Sequence, residues 1–420
     1  MAVSGAETGA EAAAGTSAAA GVGVCAPLGF SAGTAAADIR GDGDVTRDDL
    51  AVVASDRPCA AAGVFTRNLV KAAPVVISQL TLRRGTPIHA VIANAGNANA
   101  CTGAQGLRDT LRVCSLTADA LGRDPVEILS CSTGVIGRQM PMDRIGPGIR
   151  AAVGALRRDA GLAAARAIMT TDTVPKTASA AFTAGSVEHH VGGMAKGSGM
   201  LHPDMATLLA FVTTDADVAA TDLQSLLGEV TDSSFNCVTV DGDTSTNDSL
   251  IALANGAAGG PALVPGTDGF TALRTAFLDV CESLAEQIVA DAEGATKHFR
   301  VTVTGAVDVA QARLAARTVA VSPLVKTAVH GADPNWGRIV MALGRSGARF
   351  SLDRCRVDIA GITVFERGGP VETDLGAVSD ALRQPRIDIA VDLGAGDGSG
   401  HAWGCDLTAG YVRINAEYTT

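Results

Sequence analysis

Short apolar runs, each bounded by polar residues or glycine, recur along the chain and predict buried strands. The clearest runs are residues 49–55 (DLAVVAS), 88–96 (IHAVIANAG), 127–137 (EILSCSTGVIG) and 207–216 (TLLAFVTTDA). Residues 299–306 (FRVTVTGA) instead alternate apolar and polar positions, which predicts a strand with one face toward solvent.

A longer periodicity, with apolar residues three and four positions apart, predicts helices between these strands. It is found in four segments, residues 106–121, 158–169, 221–235 and 270–294. We expect Thr221 or Asp222 to cap the start of the third helix. We expect Gly294 to end the fourth, because glycine readily adopts the left-handed conformation that closes many helices.

Strands that alternate with helices are typical of the α/β or α+β class. The chain has 420 residues, of which 47% are hydrophobic, so it can bury a large core and form more than one domain. The Ala- and Gly-rich residues 1–24 predict a flexible tail. Beyond residue 298 the elements become shorter, so we place a main domain at 25–298 and a smaller α/β domain at 299–420.

Charge and cysteine content narrow the possible partners and the compartment. The net charge is −11, and no cluster of basic and aromatic residues appears, so nucleic acid is not an expected partner. No apolar run reaches the roughly 18 residues of a membrane span, and the N-terminus lacks the basic start of a signal peptide. The nine cysteines form no CxxC pair, which favours reduced thiols in the cytoplasm.

Two patterns that resemble metal sites lack the required spacing. Asp241, Asp243 and Ser245 begin like a calcium loop, but Thr246 stands where that loop needs glycine. The adjacent pair His189–His190 does not have zinc-ligand spacing, so we interpret it as a surface pair. The sequence therefore predicts neither a metal nor an organic cofactor.

The segment 196–216 (KGSGMLHPDMATLLAFVTTDA) raises a specific chemical question. A polar loop with glycines and Pro203 changes at Ala206 into an apolar run that begins with Thr207. In one interpretation Thr207 only opens a buried strand. In the other the Thr207 hydroxyl attacks the unhindered carbonyl of Ala206, and the chain cleaves itself at that bond.

Self-cleavage would turn Thr207 into an N-terminal residue with its own base. A free α-amine has a pKa of about 7.7–8.0, so a good fraction is neutral near neutral pH. Such an amine can accept the proton of the Thr207 hydroxyl and activate it as a nucleophile.

Sequence blocks spread over nearly the whole chain after the tail resemble one enzyme family. The blocks, in family order, are 61–75 (AAGVFTRNLVKAAPV), 94–103 (NAGNANACTG), 131–137 (CSTGVIG), 170–176 (TTDTVPK), 194–216, 240–248 (VDGDTSTND), 291–297 (DAEGATK), 330–339 (HGADPNWGRI) and 411–420 (YVRINAEYTT). Together they are similar to the ornithine acetyltransferase / glutamate N-acetyltransferase family of arginine biosynthesis.

The resemblance implies an N-terminal-nucleophile-like layered sandwich of helices and mixed sheets. It implies cleavage between Ala206 and Thr207 into chains 1–206 and 207–420 that stay together, as an α2β2 assembly. Thr207 would attack the acetyl group of N2-acetylornithine, and the resulting acetyl-Thr207 would pass the acetyl group to glutamate in a ping-pong reaction.

The resemblance also implies a set of site residues. Thr133 and Gly134 would stabilise the oxyanion. The residues implied for substrate binding are Thr173, Lys196, Thr207, Glu293, Asn415 and Thr420.

Three questions stay open at this stage. Acetyl-CoA is a second candidate donor, since the same acetyl-Thr207 could form from it. The acceptor could instead be water, as in a related amidohydrolase or aminopeptidase, and the chain could be a copy that serves secondary metabolism. A non-enzymatic protein with an uncut chain is the third alternative.

Overall fold

The computed structural model describes residues 21–202 and 208–417, and its strands form two mixed sheets. The strands of the first sheet are β1 (Phe30–Ala35), β2 (Leu50–Phe65), β3 (Ile88–Asn94), β4 (Ile128–Ser132), β5 (Lys176–Ala184), β6 (Val187–Lys196), β7 (Leu209–Thr214) and β8 (Ser249–Ala254). Their order is β4-β3-β2-β8-β7-β6-β5, and β1 pairs with β2. Only the β3–β4 and β7–β8 pairs are parallel within this described sheet.

The long strand β2 joins the two halves of the first sheet. Its beginning pairs with β1 and β3, and its end, from Ala60 to Phe65, pairs with β8. The register with β3 shifts between Ala54 and Cys59. Such an irregularity bends a strand, which allows one strand to serve both halves.

The central strands are buried on both faces, which explains their nearly continuous apolar sequences. The helices that cover the first sheet are α1 (Ala73–Arg83), α2 (Gly103–Leu121), α3 (Met142–Gly154), α4 (Gly161–Ala167), α5 (Ala220–Ser233) and α6 (Asp268–Ala290). On β7, Val212 packs in one core with α5 and α6, whereas Phe211 packs in another core with α4. A third core lies between α2, α3 and the first half of the sheet.

The second sheet lies in the C-terminal part of the chain. Its strands are β9 (His298–Ala306), β10 (Arg356–Ile359), β11 (Ile362–Glu366), β12 (Gly369–Pro370), β13 (Arg386–Asp392) and β14 (Gly398–Cys405), in the order β12-β11-β10-β13-β9-β14. The remaining helices are α7 (Val309–Ala320), α8 (Pro323–Gly331), α9 (Trp336–Gly344), α10 (Leu375–Ala381) and α11 (Ala409–Glu417). This sheet has its own core, with Phe299, Val319 and Ile389 fully or nearly fully buried.

The predicted mixed α/β class is confirmed by these two sheets and their helices. The division into domains at residue 298 stays a prediction. The flexible tail was expected to run to residue 24, and Val24, its last residue, is buried. No helix in the described part of the chain is long and apolar enough to cross a membrane. All nine cysteines are free, and Cys101 alone among them is exposed.

Two predicted helix boundaries and one surface assignment are wrong. Helix α5 begins after Ala219, whose side chain cannot cap, so neither Thr221 nor Asp222 is the N-cap. Helix α6 ends at Ala290, before the predicted stop at Gly294. His189 is not on the surface, because it is buried and stacks on Phe182.

Candidate active site

One cleft brings together most of the described residues that the sequence singled out. Its walls come from segments far apart in the chain. The lining residues are Ala98, Thr133, Gly134, Ile136, Thr170, Thr171, Lys196, Gly199, Met200, Ser245, Thr246, Asn247, Glu293 and Asn415. Five of the predicted site residues are therefore neighbours around one space, namely Thr133, Gly134, Lys196, Glu293 and Asn415.

The turn Thr133–Gly134 directly follows β4 and presents donors to this cleft. The Thr133 N–H donates to Asn94 O at 2.9 Å, so Thr133 has its hydroxyl left to offer. The Gly134 N–H makes no hydrogen bond to any described residue. Two donors close to each other in a rigid turn can stabilise a developing oxyanion.

Glycine is required at position 134 for two separate reasons. Its φ of +132° lies in a region that residues with a side chain rarely adopt. A Cβ built on it would lie 2.3 Å from the carbonyl carbon of Gly96 and 2.5 Å from the nitrogen of Asn97. The turn therefore packs directly against the backbone that follows β3.

Buried amide side chains hold this turn and its neighbours in place. The Asn247 Nδ2 donates to Ala98 O at 2.6 Å and to Ser132 O at 2.8 Å. The Asn94 Nδ2 donates to Asn97 O at 2.9 Å, and the Ser132 Oγ donates to Asn94 Oδ1 at 2.6 Å. A fully bonded network of this kind keeps the oxyanion donors in a single arrangement.

Lys196 ends β6 and points a buried ammonium at the turn. Its Nζ donates to Thr133 Oγ1 at 3.3 Å, and the residue is only 4% exposed. Burial lowers the pKa of Lys196, and the carboxylate of Asp172 opposes this effect most strongly. Lys196 can therefore bind an anionic group inside the cleft while it supports the Thr133 hydroxyl.

Glu293 and Asn415 also line the cleft and contact each other. The Asn415 Nδ2 donates to Glu293 Oε2 at 2.8 Å, which ties α11 to the loop after α6. A Cβ on Gly199 would lie 2.3 Å from Glu293 Oε2, so the carboxylate occupies space that only glycine leaves free. Glu293 thus supplies a negative charge to a cleft that also holds the positive charge of Lys196.

Thr173 does not line the cleft. Its N–H donates to Asp291 Oδ2 at 2.9 Å, and its hydroxyl also donates to Asp291. The same loop reaches the cleft through Thr170 and Thr171 instead. A substrate contact from Thr173 stays a prediction.

Ala206, Thr207 and Thr420 lie outside the described residues. The described residues on both sides of the predicted cleavage bond are held by one loop. Asp241 accepts from Met200 N at 2.6 Å and from Leu201 N at 2.8 Å. Asp248 Oδ1 accepts from Leu208 N at 3.0 Å.

Asp248 is fully buried, and among the residues that the structure describes its Oδ2 has no hydrogen-bond partner. Burial raises the pKa of its carboxyl well above the usual range, although the Leu208 N–H and the charge of Lys196 lower it. This buried carboxyl, which accepts from Leu208 N, was not identified from the sequence. Its position in the block VDGDTSTND was the available signal, but that block alone does not show which residue the carboxyl contacts.

The described residues offer no group of three or more His, Cys, Asp or Glu side chains that could hold a metal ion.

Comparison with known proteins assigns the chain to a family. Residues 31–420 match the model of the ArgJ family. The arginine biosynthesis bifunctional protein ArgJ of Symbiobacterium thermophilum is 51% identical over 395 residues, which cover 94% of this chain and 98% of that protein. The protein of the same name from Deinococcus radiodurans is 47% identical, and the match covers 94% of this chain and 97% of that protein.

A solved structure of the arginine biosynthesis bifunctional protein argJ from Bacillus halodurans is 42% identical, with a TM-score of 0.49. The match covers 50% of the present chain and 98% of the chain in that structure. The family match and the relatives agree over almost the entire sequence, and the chain belongs to the ArgJ family.

Proposed function

We propose that this chain is an acyltransferase of arginine biosynthesis that moves the acetyl group of N2-acetylornithine to glutamate. The observation that supports this reaction most directly is the cleft in which Thr133, Gly134, Lys196, Glu293 and Asn415 meet. It combines oxyanion donors with one cationic and one anionic side chain. A substrate that carries both an acetylated amine and free charged groups requires this combination.

In the first half-reaction the Thr207 hydroxyl attacks the acetyl carbonyl of N2-acetylornithine. The α-amine of Thr207 accepts the hydroxyl proton, and the negative charge on the carbonyl oxygen is stabilised by Gly134 N–H and the Thr133 hydroxyl. The C–N bond then breaks, the proton moves from the α-amine to the departing nitrogen, and ornithine leaves. The acetyl group remains as an ester on Thr207.

In the second half-reaction the amine of glutamate attacks the acetyl ester. The same donors stabilise the second oxyanion, and the proton released by glutamate returns to the Thr207 oxygen through the α-amine. The products are N-acetylglutamate and free Thr207. Lys196 suits a carboxylate of either substrate, and Glu293 suits the side-chain ammonium of N2-acetylornithine.

Thr207 becomes N-terminal by cleavage of the bond after Ala206. The described contacts around this bond support that step, because Asp241 and Asp248 hold the chain before and after it. Chains 1–206 and 207–420 would stay together, since β7, which follows the bond, pairs along its whole length with residues 191–196 of β6, which precede it. We further propose an α2β2 assembly in the cytoplasm.

Intact mass of the purified protein, before and after incubation with N2-acetylornithine alone, tests this function. We expect two fragments, 1–206 and 207–420, and the gain of one acetyl group on the second. A single uncut mass would contradict both processing and mechanism. Two fragments without a retained acetyl group would indicate that water is the acceptor, as in a hydrolase.

Acetyl-CoA is the proposed second donor, and the name "bifunctional" of the relatives supports it. The same mass measurement with acetyl-CoA in place of N2-acetylornithine tests this activity. Acetylation of fragment 207–420 is the expected result. An unmodified fragment would restrict the enzyme to the ornithine reaction.

The Glu293→Gln variant is expected to bind N2-acetylornithine more weakly without loss of self-cleavage. A charge-assisted hydrogen bond contributes about 1.5–3 kcal/mol, so KM for N2-acetylornithine should rise by roughly 10- to 150-fold. KM for glutamate should change less, because glutamate has no side-chain ammonium. Steady-state kinetics with each substrate varied in turn, together with fragment mass, measure both effects.

Glu286→Gln is a matched control, because Glu286 lies in α6 and bonds Arg386 and His298 away from the cleft. Its KM values should match those of the wild type. Equal KM increases for both substrates in Glu293→Gln would contradict the assignment of Glu293 to the ammonium.

A further inference from the structure

We propose that Asp172 is a positioning residue that keeps Lys196 protonated and directed at the Thr133–Gly134 turn. The inference rests on the proposed function, because it names the residue that keeps Lys196 charged and able to bind a substrate carboxylate. Asp172 lies in the loop before β5 and does not line the cleft. It acts on substrate only through Lys196 and the backbone beside it.

The contacts of Asp172 place it between two walls of the cleft. Its Oδ1 accepts from Gly197 N at 2.8 Å, which fixes the residue directly after Lys196. Its Oδ2 accepts from Thr170 N at 3.1 Å, and Thr170 lines the cleft. The side chain of Asp172 is 0% exposed, so these bonds do not compete with water.

A second lysine shares this carboxylate. Lys176 Nζ donates to Asp172 Oδ1 at 2.7 Å and to Asp291 Oδ2 at 2.6 Å, and its side chain is 0% exposed. Asp291 thus neutralises Lys176 from the far side. The Oδ1 atom of Asp172 thus bonds both Lys176 and the backbone N–H directly after Lys196.

A buried ammonium without a counter-charge loses its proton, because burial penalises the charged form. The charged groups that act on Lys196 are Asp172, Lys176, Glu293 and Asp248. Burial lowers the pKa of Lys196 most, Asp172 opposes this most strongly, and Lys176 lowers it further. Burial likewise disfavours ionised Asp172, but Lys196, Lys176 and the Gly197 N–H together lower its pKa to about 2.

The other two carboxylates cannot replace Asp172. Glu293 is committed to the substrate ammonium and to Asn415 in the proposed reaction. Asp248 has a pKa raised by its complete burial, so it is a weaker source of negative charge. Asp172 is therefore the main negative charge that acts on Lys196, and its bond to Gly197 fixes the backbone directly after the lysine.

The test is the pH dependence of the first half-reaction in the Asp172→Asn variant. Release of ornithine from N2-acetylornithine in a single turnover is followed from about pH 6 to about pH 11, a range that spans the ordinary pKa of lysine. Loss of an opposite charge at close range moves a pKa by roughly one to three units, so activity should fall at a pH lower by about that amount. The fall of activity at high pH is the alkaline limb of the pH profile. A merely structural role of Asp172 would lower the rate at every pH and leave the pH of this limb unchanged.

Lys176→Gln provides an independent test with the opposite sign. Glutamine can still donate to both carboxylates, but the like charge that lowers the pKa of Lys196 is gone. The alkaline limb should therefore move to higher pH. If Asp172→Asn does not fold, an unmoved alkaline limb in Lys176→Gln still refutes the charge balance on which the role of Asp172 depends.

Asp291→Asn is the matched control, since it removes a carboxylate from Lys176 but not from Lys196. Its alkaline limb should coincide with that of the wild type. If the limb is unmoved in Asp172→Asn and Lys176→Gln, the role of Asp172 is refuted. If wild-type enzyme releases no ornithine at all, the proposed function itself is refuted, so the two failures are distinguishable.

Discussion

The Thr207→Ala variant is expected to remain a single uncut chain and to transfer no acetyl group. Alanine has no hydroxyl, so it can neither attack the carbonyl of Ala206 nor carry the acetyl group. Loss of a catalytic nucleophile lowers turnover by about 10⁴-fold or more in enzymes of this type. Intact mass and release of ornithine measure the two effects separately.

Thr207→Ser is the control for this prediction. It retains the hydroxyl, so cleavage and acetylation should continue at reduced rates. A mass that shows cleavage of the Thr207→Ala chain would remove Thr207 from the processing step. Retained acetyl transfer in that variant would remove it from the transferase mechanism as well.

Much of the fold could be predicted because the strands of the first sheet are apolar runs of suitable length. The predicted strand at 88–96 corresponds to β3 and the one at 207–216 to β7. The part of β2 after Ser55 was not predicted. It contains Asp56, Arg57 and Pro58, which interrupt the apolar pattern where the strand bends.

Helix ends were harder to predict, because tertiary contacts override local signals. Helix α6 stops at Ala290 although Gly294 is a better local stop signal. The next residue, Asp291, binds Lys176 and Thr173, and this requires the chain to leave the helix earlier. The helix propensity of a segment carries no information about a partner that is distant in sequence.

The site residues came from family resemblance rather than from local pattern. Asp172 and Asp248 both lie inside blocks that resemble the family, but in sequence they look like any other loop aspartates. Their burial and their bonds to Gly197 and Leu208 distinguish them, and both bonds join segments distant in sequence. Such long-range contacts are not encoded in spacing, so a single sequence could not single these residues out.

The Gly134→Ala variant is expected to lose activity by about 10²–10³-fold, the usual effect of removing one oxyanion donor. The added methyl group would lie 2.3 Å from the Gly96 carbonyl carbon, and the φ of +132° is unfavourable for alanine. Either the turn or the Gly96–Asn97 backbone must move. Because Gly134 offers its own N–H to the oxyanion, a displacement of even a few tenths of an ångström misdirects that donor.

Gly137→Ala separates this effect from simple backbone strain. Gly137 follows in the same loop with a φ of +82°, but a Cβ there would meet nothing within 4 Å. That variant should lose about 1 kcal/mol of stability and little activity, because its strain is not next to a donor. Thermal unfolding and single-turnover ornithine release of both variants make the comparison. If folded Gly134→Ala reacts as fast as Gly137→Ala, the oxyanion is stabilised elsewhere, and the Thr133 hydroxyl becomes the donor to test next.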